Sequence, residues 1–253
     1  PGRGNGRRLL TANHFFIARR NIAGSAGRLS GAEHHHLSRV ARLRPGDEIG
    51  LFDEEGGVYA ARIAGIGAEA TDLLILSSAD AAAPRTRLTL GQAVLKSGPM
   101  ETVVQKSTEL GVFAIAPLIC RRSVVKVGKD GGKHADRWSR IALAAAKQSH
   151  AGLVPRVLEP VRLRVFLSGE VRGEKLYLSE RGGTPFREIL AGPRASRPEE
   201  AALLVGPEGG WDPDEEREIL GSGYRAVSLG RSILRAETAA IAAAAMAMHF
   251  WND

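Results

Sequence analysis

Two rhythms of apolar and polar residues run along this chain. Over roughly the first 80 residues, short β-type runs are punctuated by Gly, Pro and Asp, as expected for strands and tight turns. Arg44-Pro45-Gly46-Asp47 is a turn signal ahead of Ile49-Gly50-Leu51-Phe52. Asp53-Glu54-Glu55-Gly56-Gly57 then turns the chain into Val58-Tyr59-Ala60-Ala61-Arg62-Ile63, and Leu73-Leu74-Ile75-Leu76 follows. These runs predict a small β-barrel with one helix over 32–43, and His14 to Ile17 reads as the start of a further strand. The Ala-rich, proline-ended stretch 79–84 reads as a linker. The expected domains are therefore 1–84 and 85–253.

From Leu88 onward, apolar runs alternate with helical patterns, which is the mark of a parallel α/β sheet. Strands are expected over 88–95, 113–119, 175–178, 202–205 and 226–229. Helices are expected over 100–110, 135–149, 213–220 and 237–251; the third opens on an acidic, proline-containing helix start. No period points to a solenoid.

Charge adds to this picture through its distribution. The net of +7 resolves by segment into +1 for 1–84, +8 for 85–147 and −2 for 148–253. A basic middle segment suits a polyanion, and equally suits a solvated surface. The single cysteine, Cys120, excludes an intrachain disulfide framework and a cysteine-rich zinc site. It fits a reducing compartment and a cytoplasmic location. The longest strictly apolar run, Ala239 to Met248, falls well short of the ~20 residues that cross a bilayer, so no membrane partner is expected. Residues 1–32 hold six arginines and no acidic residue, as in an organellar transit peptide; the strand start at His14 favours a folded segment instead. His34-His35-His36 resembles a metal-binding tract, but consecutive residues on a helix point in different directions. It is expected to be helix surface, and no metal is expected.

Neither a P-loop nor a strand-linked dinucleotide fingerprint is present, and the nucleophile elbow of serine hydrolases is missing. Two glycine-containing loops instead follow expected strands directly. Gly206-Pro207-Glu208-Gly209-Gly210 comes after Leu203-Leu204-Val205, and Gly230-Arg231-Ser232-Ile233-Leu234-Arg235 after Val227-Ser228-Leu229. Ligands of open α/β sheets bind beyond the carboxyl ends of strands, and glycine lets backbone approach a flat ligand closely. The two loops are the natural candidate site.

At these loops the sequence resembles the 16S ribosomal RNA uridine N3-methyltransferases, members of the SPOUT superfamily. The blocks that carry the likeness run from Leu203 to Gly210 and from Leu229 to Ala239 (Leu-Gly-Arg-Ser-Ile-Leu-Arg-Ala-Glu-Thr-Ala). Three further segments agree: Val40 to Asp47, Glu101 to Val112 with Lys106 and Glu109-Leu110-Gly111-Val112, and Ala144 to Ser149 with Gln148. The resemblance implies a C-terminal domain with a deep trefoil knot, an exception to the rule against threaded chains. It also implies an N-terminal PUA-like barrel that helps hold RNA, S-adenosylmethionine as cofactor, and a homodimer with its sites near the subunit interface. The expected substrate is 16S ribosomal RNA, free or in the assembled small ribosomal subunit.

Carried onto this chain, the resemblance places Leu178, Ser179, Gly206, Pro207, Glu208, Gly209, Leu229, Gly230, Ser232, Ile233, Leu234 and Thr238 around the cofactor. Methyl transfer to a uracil nitrogen needs alignment and a deprotonated base. Arg235 is the candidate to stabilise charge on the ring; Glu208 and Glu237 are candidates to accept the N3 proton or orient the cofactor. Glu237 reads equally as a helix-start charge. RNA contacts are expected from Lys96, Lys106, Arg121, Arg122 and Lys126 on the catalytic domain and from Arg39, Arg42 and Arg44 on the barrel, each adding salt dependence. Ala151, Leu153 and Ser232 stand where the family often has basic residues. The alternatives are a non-catalytic RNA-binding assembly protein and a SPOUT methyltransferase with another RNA target.

Overall fold

The computed structural model describes residues 13–80, 84–125, 131–149, 153–191 and 197–252. The chain divides into two compact units, one of residues 1–83 with 146–154 and the other of 84–145 with 155–253. Residues 146–154, expected within the C-terminal domain, thus group with the N-terminal unit.

The first unit is a six-stranded sheet in the order β1-β4-β5-β6-β3-β2, with β1 His14–Phe16, β2 Ile22–Ala23, β3 Ala26–Ser30, β4 Glu48–Phe52, β5 Gly57–Ile66 and β6 Ala70–Asp80. β1 runs parallel to β4 and the remaining pairs are antiparallel. Register shifts in β5 after Ala60 and Ile63 bend the sheet, as bulges do, around Phe15, Ile17, Leu29, Leu37, Ile49, Leu51 and Ile63. The helix expected over 32–43 is α1, Gly31–His35, continued by one π turn over His36–Val40. It stops where Arg42 takes a positive φ of 54°. β6 continues through Asp80, so the expected linker starts later than residue 79.

The histidine tract is not wholly surface. His34 is buried, with Nδ1 2.8 Å from the Thr71 hydroxyl, while His35 and His36 are exposed; the turn of the helix sends one ring of the three inward. Glu33 accepts from the Phe16 amide at 3.1 Å and pairs with Lys147. Lys147 also lies over the Phe16 ring, 5.6 Å from its centroid.

A buried carboxylate holds the turn between β4 and β5. Asp53 accepts from the amides of Glu55 and Gly57 at 2.9 and 2.7 Å, from the Tyr59 hydroxyl at 2.5 Å and from Arg19 Nη1 at 3.1 Å. Burial pushes its pKa up, but hydrogen bonds from Tyr59, Gly57, Arg19 and Glu55 outweigh it and hold the carboxyl below its ordinary value. A carboxylate whose folded pKa is depressed adds stability that is full above its unfolded pKa and lost as pH falls through the folded one. Asp53→Asn is therefore expected to lower stability at neutral pH and to flatten the loss of stability below about pH 4. Urea titrations at a series of pH values check this, and parallel curves for the two proteins would contradict it.

The second unit is an eight-stranded sheet in which every recorded pair is parallel. Its strands are β7 Arg87–Ala93, β8 Ala114–Ile119, β9 Arg156–Val157, β10 Val161–Arg162, β11 Glu174–Leu178, β12 Thr184–Pro185, β13 Glu200–Val205 and β14 Arg225–Ser228. The order is β10-β8-β7-β13-β11-β14-β12, with β9 also beside β8. β8 and β13 are buried almost throughout, which is why they read as continuous apolar runs without alternation. The helices are α2 Ser97–Glu109, α3 Gly131–Ser149, α4 Leu163–Leu167, α5 Phe186–Leu190, α6 Pro213–Gly221 and α7 Ala236–Asn252. α7 buries Ala236, Ala240, Ala243, Ala244, Ala247 and Trp251, one stripe at helical spacing, against α2, α5 and β7. Its small residues thus pack in the chain's own core, while Phe250 stays exposed.

Because β13 and β14 flank β11, three strands in a row end at the same edge, at Leu178, Val205 and Ser228. The loops that leave them meet. Among the described helices none is long and apolar enough to cross a membrane.

Candidate active site

The three loops form one cleft. Leu178 and Ser179 line it from the end of β11; Gly206, Pro207 and Gly209 line it after β13; Leu229, Gly230, Ser232, Ile233 and Leu234 line it after β14. All ten are among the residues expected around a cofactor. Glu208, Arg235, Glu237 and Thr238 do not line it. Glu208 is exposed at the tip of the 206–210 turn, Arg235 and Thr238 are exposed around the start of α7, and Glu237 is half-buried in its first turn. The first turn of α7 faces the cleft with Ala236 and Ala239 instead.

Several wall residues escaped the sequence reading. Trp211 is buried, lines the cleft and donates its indole N–H to the Leu178 carbonyl at 2.9 Å, which joins the loop after β13 to the end of β11. A Cβ on Gly206 would stand 3.1 Å from the Trp211 ring, so the glycine is what lets the indole pack there. The loop closes on itself through the Gly210 amide, 2.9 Å from the Pro207 carbonyl. Glu216, from the first turns of α6, faces the Tyr177 hydroxyl at 3.2 Å, Ser179 Oγ at 3.4 Å and Arg181 at 3.5 Å. Burial and the neighbouring Glu216 carboxylate push the Tyr177 phenol up to about 12, so it stays protonated and donates. Glu180, Arg181 and Arg231 complete the polar wall. Their only sequence signal was their place directly after β11 and β14. Trp211 and Glu216 had none, because their roles depend on neighbours more than 30 residues away.

The candidate RNA-contacting cations are in varied positions. Arg39, Arg42 and Arg44 are exposed on the first unit, and Lys96 is exposed at the N-cap of α2. Lys106 is paired with both oxygens of Glu109 at 2.9 Å. Arg121 faces Asp212 and Asp214, whose hydrogen bonds and charge, Asp214 first, hold its guanidinium pKa above the ordinary value. Arg122 lies in the cleft wall. Lys126 and Ala151 fall outside the described residues. Burial, with Glu215 nearby, pushes the Cys120 thiol up, which leaves it an inert core group. No group of three or more metal-type side chains is placed to hold an ion among the described residues.

A family model described as an RNA methyltransferase domain matches residues 82–248, and one described as an RNA methyltransferase PUA domain matches residues 29–76. Fold, cleft and these two matches define the class of protein: an RNA methyltransferase with a PUA domain. Ribosomal RNA small subunit methyltransferase E of Synechocystis is 32% identical over 233 residues, 91% of this chain and 75% of that protein. The enzyme of the same name from Neisseria gonorrhoeae, solved with S-adenosylmethionine, is 32% identical with a TM-score of 0.82, covering 94% of this chain and 98% of that one. A methyltransferase of Legionella pneumophila solved with the same cofactor is 31% identical with a TM-score of 0.80, covering 93% and 96%. The chain belongs to the ribosomal RNA small subunit methyltransferase E family.

Proposed function

We propose that this chain uses S-adenosylmethionine to methylate N3 of a uridine in 16S ribosomal RNA, free or in the assembled small subunit. The observation that carries the reading is the meeting of three loops, from the ends of β11, β13 and β14, in a single cleft. Its lining suits the cofactor. Leu178, Leu229 and Leu234 offer apolar surface to a flat nucleoside. Glu180 and Glu216 place carboxylates in the wall, where a cationic sulfonium and an ammonium group are favoured.

S-adenosylmethionine supplies an electrophilic methyl group on a positively charged sulfur. The chain's residues supply alignment and charge. Uracil N3 must give up its proton to expose a lone pair for attack, and Glu208 or Glu237 accepts it. The negative charge that spreads over the ring is stabilised by Arg235, next to the cleft at the start of α7. Exposed Arg39, Arg42, Arg44 and Lys96 attract the phosphate backbone, with Lys106 and Lys126 as further contacts. Domain 1–84 serves RNA holding, and domain 85–253 carries catalysis together with its own RNA-contacting lysines.

Homodimerisation belongs to the same reading. Ile233 on the cleft wall is 81% exposed, apolar surface beside the site that a second copy would cover. The trefoil knot is proposed for loops 206–211 and 229–235, and a cytoplasmic location follows from a ribosomal substrate.

The test is calorimetric titration with S-adenosylmethionine, then incubation with 16S ribosomal RNA and small subunits. N3 lies on the pairing edge of uracil, so its methylation stops reverse transcription at one position. Cofactor binding with a single new stop is expected. Cofactor binding with a product methylated at another atom would replace the uridine assignment, and RNA binding without cofactor binding would favour a non-catalytic assembly protein.

A further inference from the structure

Arg121 and Arg122 sit in the most basic part of the chain and look, by sequence, like phosphate ligands. Their surroundings assign them elsewhere. Directly beyond the end of β8, the Arg121 amide donates to Glu215 Oε1 at 2.7 Å, and Glu215 is only 6% exposed. The Arg121 guanidinium lies 2.9 Å from Asp212 Oδ1 and 2.6 Å from Asp214 Oδ2. Arg122 Nη1 donates to the Gly209 carbonyl at 3.1 Å, and its Nε stands 3.9 Å from Asp212 Oδ2. Asp212 is also the N-cap of α6, accepting from the Asp214 amide at 3.0 Å.

The segment after β8 is thereby strapped to the middle and to the far end of the loop that leads from β13 into α6. Arg122 grips the loop at Gly209, within the cleft wall, and Arg121 grips it where the helix begins. A phosphate brought to Arg121 would meet Asp212 and Asp214 at close range, and one brought to Arg122 would meet Asp212; like charges so placed repel. Arg122 can hold the Gly209 carbonyl with Nη1 while Nε stays near Asp212, two directions that the single ammonium of lysine does not serve at once.

We propose that Arg121 and Arg122 are positioning residues for the cofactor loop, acting through Asp212 and the Gly209 carbonyl, and that they are not RNA ligands. The proposal rests on the cofactor reading of the cleft. It predicts opposite behaviour in two binding measurements, and each reads something the other role would not move.

The experiment uses the full chain and its Arg121→Ala, Arg122→Ala, Arg122→Lys and Asp212→Asn variants. S-adenosylmethionine binding is followed by calorimetry, and binding of a 16S ribosomal RNA transcript is followed across a salt series. Both arginine side chains are about half exposed and asparagine still caps a helix, so the variants are expected to fold; thermal unfolding verifies it. Arg122→Ala is expected to raise the cofactor Kd about tenfold, with Arg122→Lys recovering only part of the loss, and the salt dependence of RNA binding is expected to stay as it was. Asp212→Asn is expected to weaken the cofactor as well. The proposal is overturned if the alanine variants keep their cofactor affinity while each lowers the salt slope by about 0.7–0.9, the share of one phosphate contact. Tighter RNA binding by Asp212→Asn with unchanged cofactor affinity overturns it too, since the freed arginines would then be reaching RNA. Absence of cofactor binding by the unaltered chain would instead remove the cofactor reading, and this proposal with it.

Discussion

Arg235→Ala is expected to lower kcat for RNA methylation by about 10²–10³-fold, the usual cost of removing one charge-stabilising donor, while S-adenosylmethionine binds as before. The two halves of that result come from one placement. Arg235 stands between the cleft-lining Leu234 and the cleft-lining Ala236, yet its exposed side chain is not part of the lining. Only its backbone serves the fold, through the carbonyl that accepts from Ala239 at 2.8 Å, and alanine keeps that bond. The guanidinium is thus free to meet the second substrate. Single-turnover rates with cofactor in excess, beside calorimetry of the same variant, separate the effects. An unchanged rate would remove Arg235 from the reaction; a lost cofactor affinity would make it a cleft-forming residue instead.

The other large effect is expected at Gly230. Its φ of +134° is a conformation that side chains rarely adopt, and a Cβ there meets no atom within 4 Å. Strain and obstruction can therefore be told apart. Gly230→Ala is expected to cost about 1–3 kcal/mol of stability, read as a lower urea midpoint, with cofactor binding retained. Gly230→Arg carries the same backbone strain and adds a long side chain at a cleft-lining position, and is expected to abolish measurable binding. If both variants bind equally, the space beside Gly230 is not where the cofactor lies.

The glycine loops were legible because each of their signals is local: an apolar run marks the strand, and the glycines directly after it mark the turn. The same locality made β8, β13 and α7 readable. What stayed hidden depends on residues far apart in the chain. Arg121 looked like a free cation because its carboxylate partners lie 91 and 93 positions away, and Glu216 looked like one more surface acid on an acidic helix. β3 carries its core alternation through Gly27 and Leu29 alone, too small a pattern to stand out. α4 and α5, five residues each, are too short for a 3.6-residue period to declare itself. His34 turned inward because Thr71, on a strand 37 positions on, offers its ring a partner.

The chain has three tryptophans, and their settings differ. Trp138 stacks on His134, and Trp251 packs edge-on to Phe186 in the core. Trp211 alone of the three lines the cleft, held in place by the Leu178 carbonyl. Occupancy of the cleft is therefore expected to show in the protein's own light emission: a ligand entering beside this buried indole changes its quenching neighbours, while the other two supply a steady background. The enzyme carries its own optical gauge, and Trp211→Phe is the variant that should silence it.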